Sequence, residues 1–319
     1  MWLFVGPTPL SGIGQVVIQY ANIFNGKFIS FGESFEEHKG PVFVFVLPVK
    51  EFMDMYISLK PDVVMTVCET EPVHEDYKMI FDTFPGKVLV PSEFCQGIFH
   101  RQFGVDTTVF RHTTKHVPIQ PPLDTTYTFY TIGNMFDPRK NVRGLIEAFK
   151  TLPKGSARLI IKSTAREDFV LDEPNILVIN RYMTEEQLER IHAHGHCYVN
   201  CSFSEGVGMG AVEAAVRNKP VIITDFGGLK EYVHTPFVIS TTPQPVGFTD
   251  FLFQPHMLWG KPSLEDLAHH MKSCLDQRIT SWDHPHTRDV TSSAVLHAKW
   301  SEFSLELARG PVEVNRLAG

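Results

Sequence analysis

The stretch CSFSEGVGMGAVEAAVRNKPVIITDFGGLKEYV, residues 201–233, holds the residue types with the most chemistry to offer. Gly206, Gly208 and Gly210 alternate in a turn that leads from an apolar run into a helical pattern near Met209. Such a turn aims backbone N–H groups from a helix N-terminus, which is an anion site. Glu205 stands in the turn and Glu213 about one helical turn inside. Carboxylates repel a phosphate but accept hydrogen bonds from sugar hydroxyls beside one. A Gly-rich turn on its own needs no function, and Glu213 on its own reads as a solvated helix residue. Here both glutamates, the alternate glycines and the Gly227–Gly228 pair fall in one strand–helix–strand unit, which tips the balance towards a site.

Other clusters carry less. SGIG at 11–14, with Gly12 and Gly14, precedes a helical pattern. It is no dinucleotide fingerprint: Pro7, Thr8, Pro9 and Leu10 separate it from the strand, and position 17 is Val, which argues against a nicotinamide cofactor. His192, His194, His196, Cys197 and Cys201 have the residue types of a metal box. Two positions apart, His192 and His194 do not share a helix face, and both cysteines read as buried strand residues. HPHTRD at 284–289 reads as a surface loop. With no D-x-D motif, a divalent cation is expected to be dispensable.

Alternating strands and helices must position these groups. Apolar runs at 2–6, 27–31, 42–47, 62–67 and 87–90 read as buried strands, with helical patterns at 14–24, 49–59, 73–83 and 93–103 between them. The proline-dense stretch 116–126, with Pro118, Pro121 and Pro122, reads as a linker. Beyond it, strands are expected at 128–133, 157–162, 175–180, 197–201, 220–224 and 236–240. Helices are expected at 141–151, 184–194, 209–217 and 263–277. This predicts an α/β protein of two doubly wound, Rossmann-like domains, 1–122 and 123–290, facing a cleft. Ligands of such sheets bind outside the carboxyl ends of the strands. A final amphipathic helix over about 291–308, with Val295, Trp300, Phe303 and Leu307 near one face, is expected to pack back on the first domain.

Composition bounds the function. The 319 residues suit two domains, and 43% apolar against 20% charged residues is an ordinary globular balance. A formal charge of −7 argues against duplex nucleic acid as the partner. Five cysteines without a C-x-x-C pair fit a reducing compartment, and a cytoplasmic protein with at most a peripheral membrane contact is expected.

The segment 201–233 resembles the E-x7-E signature of the retaining, group 1 (family four) glycosyltransferases with the GT-B fold. NILVINRYMTEEQLERIHAHGHCYVNCSFSEGVGMG is similar, in order, to that family's strand, base-covering loop, helix and signature turn. YTIGNMFDPRKNVRGLIEAF (130–149) resembles the strand that opens the donor domain with its basic pair. TDFGGLKEYV resembles the Gly-Gly-x-x-Glu that follows the next strand, and VPSEFCQGIFHRQFGVD the last strand–helix unit of the acceptor domain. The resemblance is specific over 128–233 and weak in the first hundred residues.

It implies transfer of a sugar from a nucleoside diphosphate-sugar, UDP- or GDP-linked, to a glycan, lipid-linked or other hydroxyl. It also implies retention at the anomeric carbon, with no further cofactor. Glu213 would bind the donor ribose and Glu205 would face the transferred sugar. Gly206, Val207, Gly208 and Met209 would touch sugar and diphosphate. Lys140, with Arg139, would neutralise the leaving diphosphate, and Arg181, Tyr182 and Met183 would cover the base. SGIG would approach the phosphates from the first domain. The family usually has Arg directly after the strand's glycine, whereas Asn134 follows Gly133 here. It often places a His after the fourth strand, where CETEPVHED (68–76) offers Glu69, Glu71 and His74 for the acceptor. Three alternatives stay open: a catalytically weak donor-binding subunit, a nucleotide-sugar epimerase on the same fold, and glycosylation of a modified nucleic-acid base.

Overall fold

The computed structural model describes residues 1–33, 38–117, 122–163, 171 and 173–309. Pro118 and Pro121, the tail 310–319 and the side chain of Leu307 lie outside the described residues.

The first unit runs β1 (Leu3–Gly6), α1 (Gly12–Ile23), β2 (Lys27–Ser30), β3 (Val42–Phe45), α2 (Lys50–Ser58), β4 (Val63–Met65), α3 (Tyr77–Thr83), β5 (Val88–Val90), α4 (Glu93–Phe103) and β6 (Thr108–Val109). Its sheet has the order β2-β1-β3-β4-β5-β6, and every pairing is parallel. Strands such as VFVF in β3 are wholly buried because helices cover both faces. Ser11 and Ser92 start α1 and α4 by accepting from Gly14 N at 2.9 Å and Cys95 N at 3.3 Å.

The second unit repeats the plan. It comprises β7 (Tyr127–Ile132), α5 (Val142–Lys150), β8 (Ala157–Ser163), β9 (Ile176–Asn180), α6 (Glu185–His194), β10 (Cys197–Val199), α7 (Met209–Val216), β11 (Val221–Thr224) and β12 (Val238–Ile239). The parallel order is β12-β11-β10-β7-β8-β9, so the strand order reverses at β7/β10, as it does at β1/β3 in the first sheet. A crevice opens above each reversal. The protein is thus an α/β fold of two parallel-sheet, Rossmann-like domains.

Four features depart from the sequence expectation, the first being the two-residue strand β6. An antiparallel pair, β13 (Thr241–Pro245) and β14 (Leu258–Pro262), follows β12. It carries its own small core of Val246, Phe253, Met257 and Trp259. After α8 (Leu264–Asp276), the stretch read as a surface loop forms α9 (Pro285–Val290), with Pro285 in its first turn and His284 and Thr287 buried. Helix α3 begins at Tyr77, four residues later than the pattern from 73 indicates. Last comes α10 (Ser293–Arg309), whose Trp300 stacks on Phe24 at 4.6 Å and meets Trp2 edge-on at 4.6 Å. It returns the chain to the core of the first sheet. Among the described residues, no helix is long and apolar enough to cross a membrane.

Candidate functional site

The turn between β10 and α7 is where the two units meet. Gly208 is left-handed, with φ 76°, which suits glycine. A Cβ on Gly206 would lie 2.2 Å from Val67 Cγ2 of the first unit, so only glycine lets the facing loop come this close. Val207 is buried in the second core, and Met209 touches the cores of both units.

Beneath the turn Glu205, only 4% exposed, is surrounded by donors. Lys140 Nζ reaches Oε1 at 2.6 Å, Ser202 Oγ donates to the same oxygen at 2.7 Å, and Arg139 Nη1 reaches Oε2 at 2.9 Å. Burial pushes this carboxyl up, but Lys140 and Arg139 outweigh it and hold the pKa well below the ordinary carboxylate value. Arg139 and Lys140 are set by the 3-10 turn Pro138–Lys140, which Asp137 caps through Arg139 N at 3.0 Å. Arg139 also binds Asp137 at 3.1 Å and, across the cleft, Glu69 at 2.9 Å. Burial raises the Glu69 pKa, Arg139 opposes the rise and Glu205 adds to it. The structure therefore brings together Arg139, Lys140, Glu205 and Glu69. The guanidinium of Arg139 is taken up by carboxylates from both units. Lys140 lies over Gly133 and lines a small cavity with Thr131, Asn200 and Ser202.

Glu213, on α7, behaves differently. Its side chain is 29% exposed, and His192 Nε2 stands 3.9 Å from it. Burial holds His192 neutral, and its Nδ1 is engaged with Tyr130 Oη at 3.0 Å. Arg217 turns away to Glu189 and to the Glu213 carbonyl. Burial, reinforced by Glu189 and Glu185 against Arg217, raises the Glu213 pKa to about 7. Among the described residues, no hydrogen bond reaches its carboxylate.

The remaining candidates divide. Arg181 and Tyr182 are exposed, but the side chain of Met183 is buried in the second core with Ile191 and Tyr198, so it presents no face to a base. Gly14 N is consumed by the Ser11 cap, and Gly12 opens α1. Glu71 and His74 do not join the cluster. Glu71 is exposed and paired with Arg101 at 2.8 Å. His74 spends Nε2 on Gln254 at 3.0 Å and Nδ1 on Asp76 N at 3.1 Å. The histidines of the supposed metal box part company: His192 faces Tyr130, His194 faces Asp124 and His196 accepts from Thr128 N.

Two contacts that sequence reasoning missed hold the cleft together. Glu71 and Leu258 exchange backbone hydrogen bonds, both 3.0 Å, so the β13–β14 pair clasps the 68–76 loop. Glu231, of the Gly-Gly-x-x-Glu stretch, accepts from Glu93 N at 2.8 Å and Phe94 N at 2.7 Å. It thereby caps α4 of the opposite unit, where a carboxylate is favoured, and Arg111 joins it at 3.0 Å. Tyr232 Oη donates to Pro91 O at 2.6 Å beside it. The E-x7-E spacing could not disclose these contacts, because their partners lie more than a hundred residues away in sequence.

Comparison with known proteins bears on the class of the fold. Residues 126–251 match the family model described as Glycosyl transferases group 1. O-antigen chain mannosyltransferase B of Escherichia coli is 33% identical over 122 residues, which is 34% of this chain and 30% of that protein. A variant of S. aureus TarM in complex with Fondaparinux, alpha-GlcNAc-glycerol and UDP superposes with a TM-score of 0.57 at 15% identity, over 82% of this chain and 55% of that one. WaaG, described as a glycosyltransferase involved in lipopolysaccharide biosynthesis, gives 0.54 at 14% identity over 94% of this chain and 95% of that one. The match takes in less than a third of the mannosyltransferase, and the chain spans about half the length of TarM. Residues 126–251 are thus a group 1 glycosyl transferase domain, and the two facing sheets have the GT-B arrangement.

Proposed function

We propose that this protein is a retaining glycosyltransferase that moves a sugar from a UDP- or GDP-linked donor to a hydroxyl of a glycan, lipid-linked or other acceptor, without a metal ion. The domain match and the glycosyltransferase neighbours support the class. The observation that carries the reading is Glu213: a half-buried carboxylate with no hydrogen-bonded partner among the described residues, on the helix that follows the Gly-rich turn. Two adjacent hydroxyls of a ribose satisfy both of its oxygens. In this reading 1–122 forms the acceptor side and 123–290 the donor side. Five free, buried thiols support a reducing compartment, the cytoplasm in this reading.

The mechanism follows from the charges. The diphosphate must enter where Lys140 and Arg139 now hold Glu205 and Glu69. Glu69 comes from the opposite unit, so opening the cleft frees Arg139 for the donor, and closing brings the acceptor side back. Lys140 then meets negative charge that grows on the diphosphate as the glycosidic bond breaks, a contact stronger in the transition state than in the ground state. The leaving phosphate oxygen takes the acceptor proton on the same face, so no protein base is required and the anomeric configuration is kept.

The test is a panel of UDP- and GDP-sugars titrated against the protein and Glu213→Ala. Loss of a charge-assisted hydrogen bond should cost about 1.5–3 kcal/mol in affinity for nucleotide and nucleotide sugar alike. Unchanged affinity in a folded variant removes Glu213 from the site. Saturation of Arg139 by carboxylates favours a second reading, a donor-binding subunit with little turnover. Donor binding without sugar transfer would select it.

A further inference from the structure

The second unit holds two buried lysines, and they are not equivalent. Lys219 is 3% exposed, at the start of β11, and donates to Gly195 O at 2.8 Å. Gly195 is the C-cap of α6, so this ammonium sits on the negative end of a helix dipole. It lies at the amino edge of the sheet, where such folds do not bind ligands.

Lys162 is 1% exposed, at the carboxyl edge. Register places it between Ile132 of β7 and Ile179 of β9, and both pack on the face covered by α6 and α7. Its Nζ donates to the carbonyl of the next residue, Ser163, at 2.6 Å. Among the described residues, no carboxylate pairs with it. The charge that acts on it is Arg181, another cation, and burial together with Arg181 brings its pKa down to about 8. Its carbonyl accepts from Gly133 N at 2.9 Å, the glycine over which Lys140 lies. An unpaired buried ammonium beside a like charge is costly for a structural residue. An anion arriving at the strand ends would remove that cost.

We propose that Lys162 is a phosphate-binding residue of the donor site, on the α6–α7 face of the sheet, and that it supplies the cation which Asn134 does not. The inference rests on the donor reading above and extends it to a residue outside the signature motifs. A nucleoside diphosphate is the ligand class. Lys140 and Lys162 flank the end of β7 from its two neighbouring sides, and a diphosphate offers an oxygen to each.

The experiment titrates UDP, GDP, uridine and inorganic pyrophosphate into the full chain and into Lys162→Met and Lys219→Met, with a thermal melt of each. Lys162→Met should lose roughly 10- to 100-fold in affinity for the nucleoside diphosphates and for pyrophosphate, keep uridine affinity, and melt no lower than the parent. Lys219→Met should melt lower and keep its diphosphate affinity. If Lys162→Met does not fold, Lys162→Gln takes its place with the same expectations. Parent-like diphosphate affinity in the Lys162 variant overturns the inference and leaves the donor reading standing. An equal loss for uridine overturns it in favour of a base contact. Pyrophosphate binding that depends on Lys162, without binding of either nucleotide, defeats the donor reading and with it the inference, leaving Lys162 an anion-binding residue of another site. A parent that binds none of the four ligands defeats both.

Discussion

The two walls of the cleft are built by different means. The wall of the second unit is wired by side chains: Lys140, Arg139, Asp137 and Ser202 form one network around the buried Glu205. The wall of the first unit, the 68–76 loop, is held mainly through its backbone. Leu258 pairs with Glu71 through main-chain atoms alone, and Gln102 grips both the N–H and the C=O of Val73, at 2.8 and 2.9 Å. The loop side chain that crosses to the network is Glu69. A wall fixed by side-chain charge binds one class of ligand and is intolerant of substitution. A wall fixed by main chain keeps its shape while its side chains are free to vary.

The strongest break of the comparison is Arg139→Ala. It leaves Glu69, Glu205 and Asp137 around a missing cation in a buried place. Removing one partner of a buried ionic network costs about 3–5 kcal/mol. Urea unfolding measures it, and a loss under about 1 kcal/mol would mean that the second unit's wall does not depend on its charges.

Next in size is a pH effect on the same wall. Glu213 keeps its proton up to about 7 in the folded chain, against 4.5 for an ordinary glutamate. Between those values the native state binds more protons than the unfolded one, so stability falls as pH rises through the window and levels off above it. At 29% exposure of the side chain the full shift is not realised, and a fall of roughly 1–3 kcal/mol is expected. Glu213→Gln should flatten this part of the profile. A variant that retains the slope would assign it to another group.

How much of this was legible beforehand follows the same division. The wall of the second unit could be read because its parts are close in sequence: Glu205, the glycines and Glu213 span one strand–turn–helix, and burial of alternating apolar runs dictates the strands. The clasp could not. Strand β13 is TTPQP, and Pro243 and Pro245 argue against a strand unless it lies at an edge, which is where it is found. Strand β6 has two residues and no pattern. Burial of Met183 was hidden because a βα loop carries no periodicity to say which side chain turns inward. The capture of Arg139 by Glu69 depends on two domains meeting, and no local spacing encodes that.

The clasp offers a smaller test. Leu258→Pro deletes the N–H that donates to Glu71 O at 3.0 Å and leaves the Arg139–Glu205 network untouched. One lost hydrogen bond should cost about 1 kcal/mol. Its mark should be faster amide exchange across 68–76, with no change around 205–213. Uniform exchange in both segments would show that the walls open as one unit.

The smallest effect expected separates two carboxylates that stand two residues apart. Glu69 is largely enclosed against Arg139, so Glu69→Ala should both destabilise the chain and alter turnover, because it removes the side-chain ion pair that ties the 68–76 loop to the Arg139 network. Glu71 is 47% exposed, and its partner Arg101 is 58% exposed. Such a pair is worth at most about 1 kcal/mol, less in salt, and the backbone bonds to Leu258 do not need the side chain. Glu71→Ala should therefore leave stability, donor affinity and transfer rate close to those of the parent at 0.15 M salt. A large fall in transfer with donor affinity intact would mean that Glu71 leaves Arg101 to touch the acceptor. The first wall would then also bind through side-chain charge, and the contrast between the two would disappear.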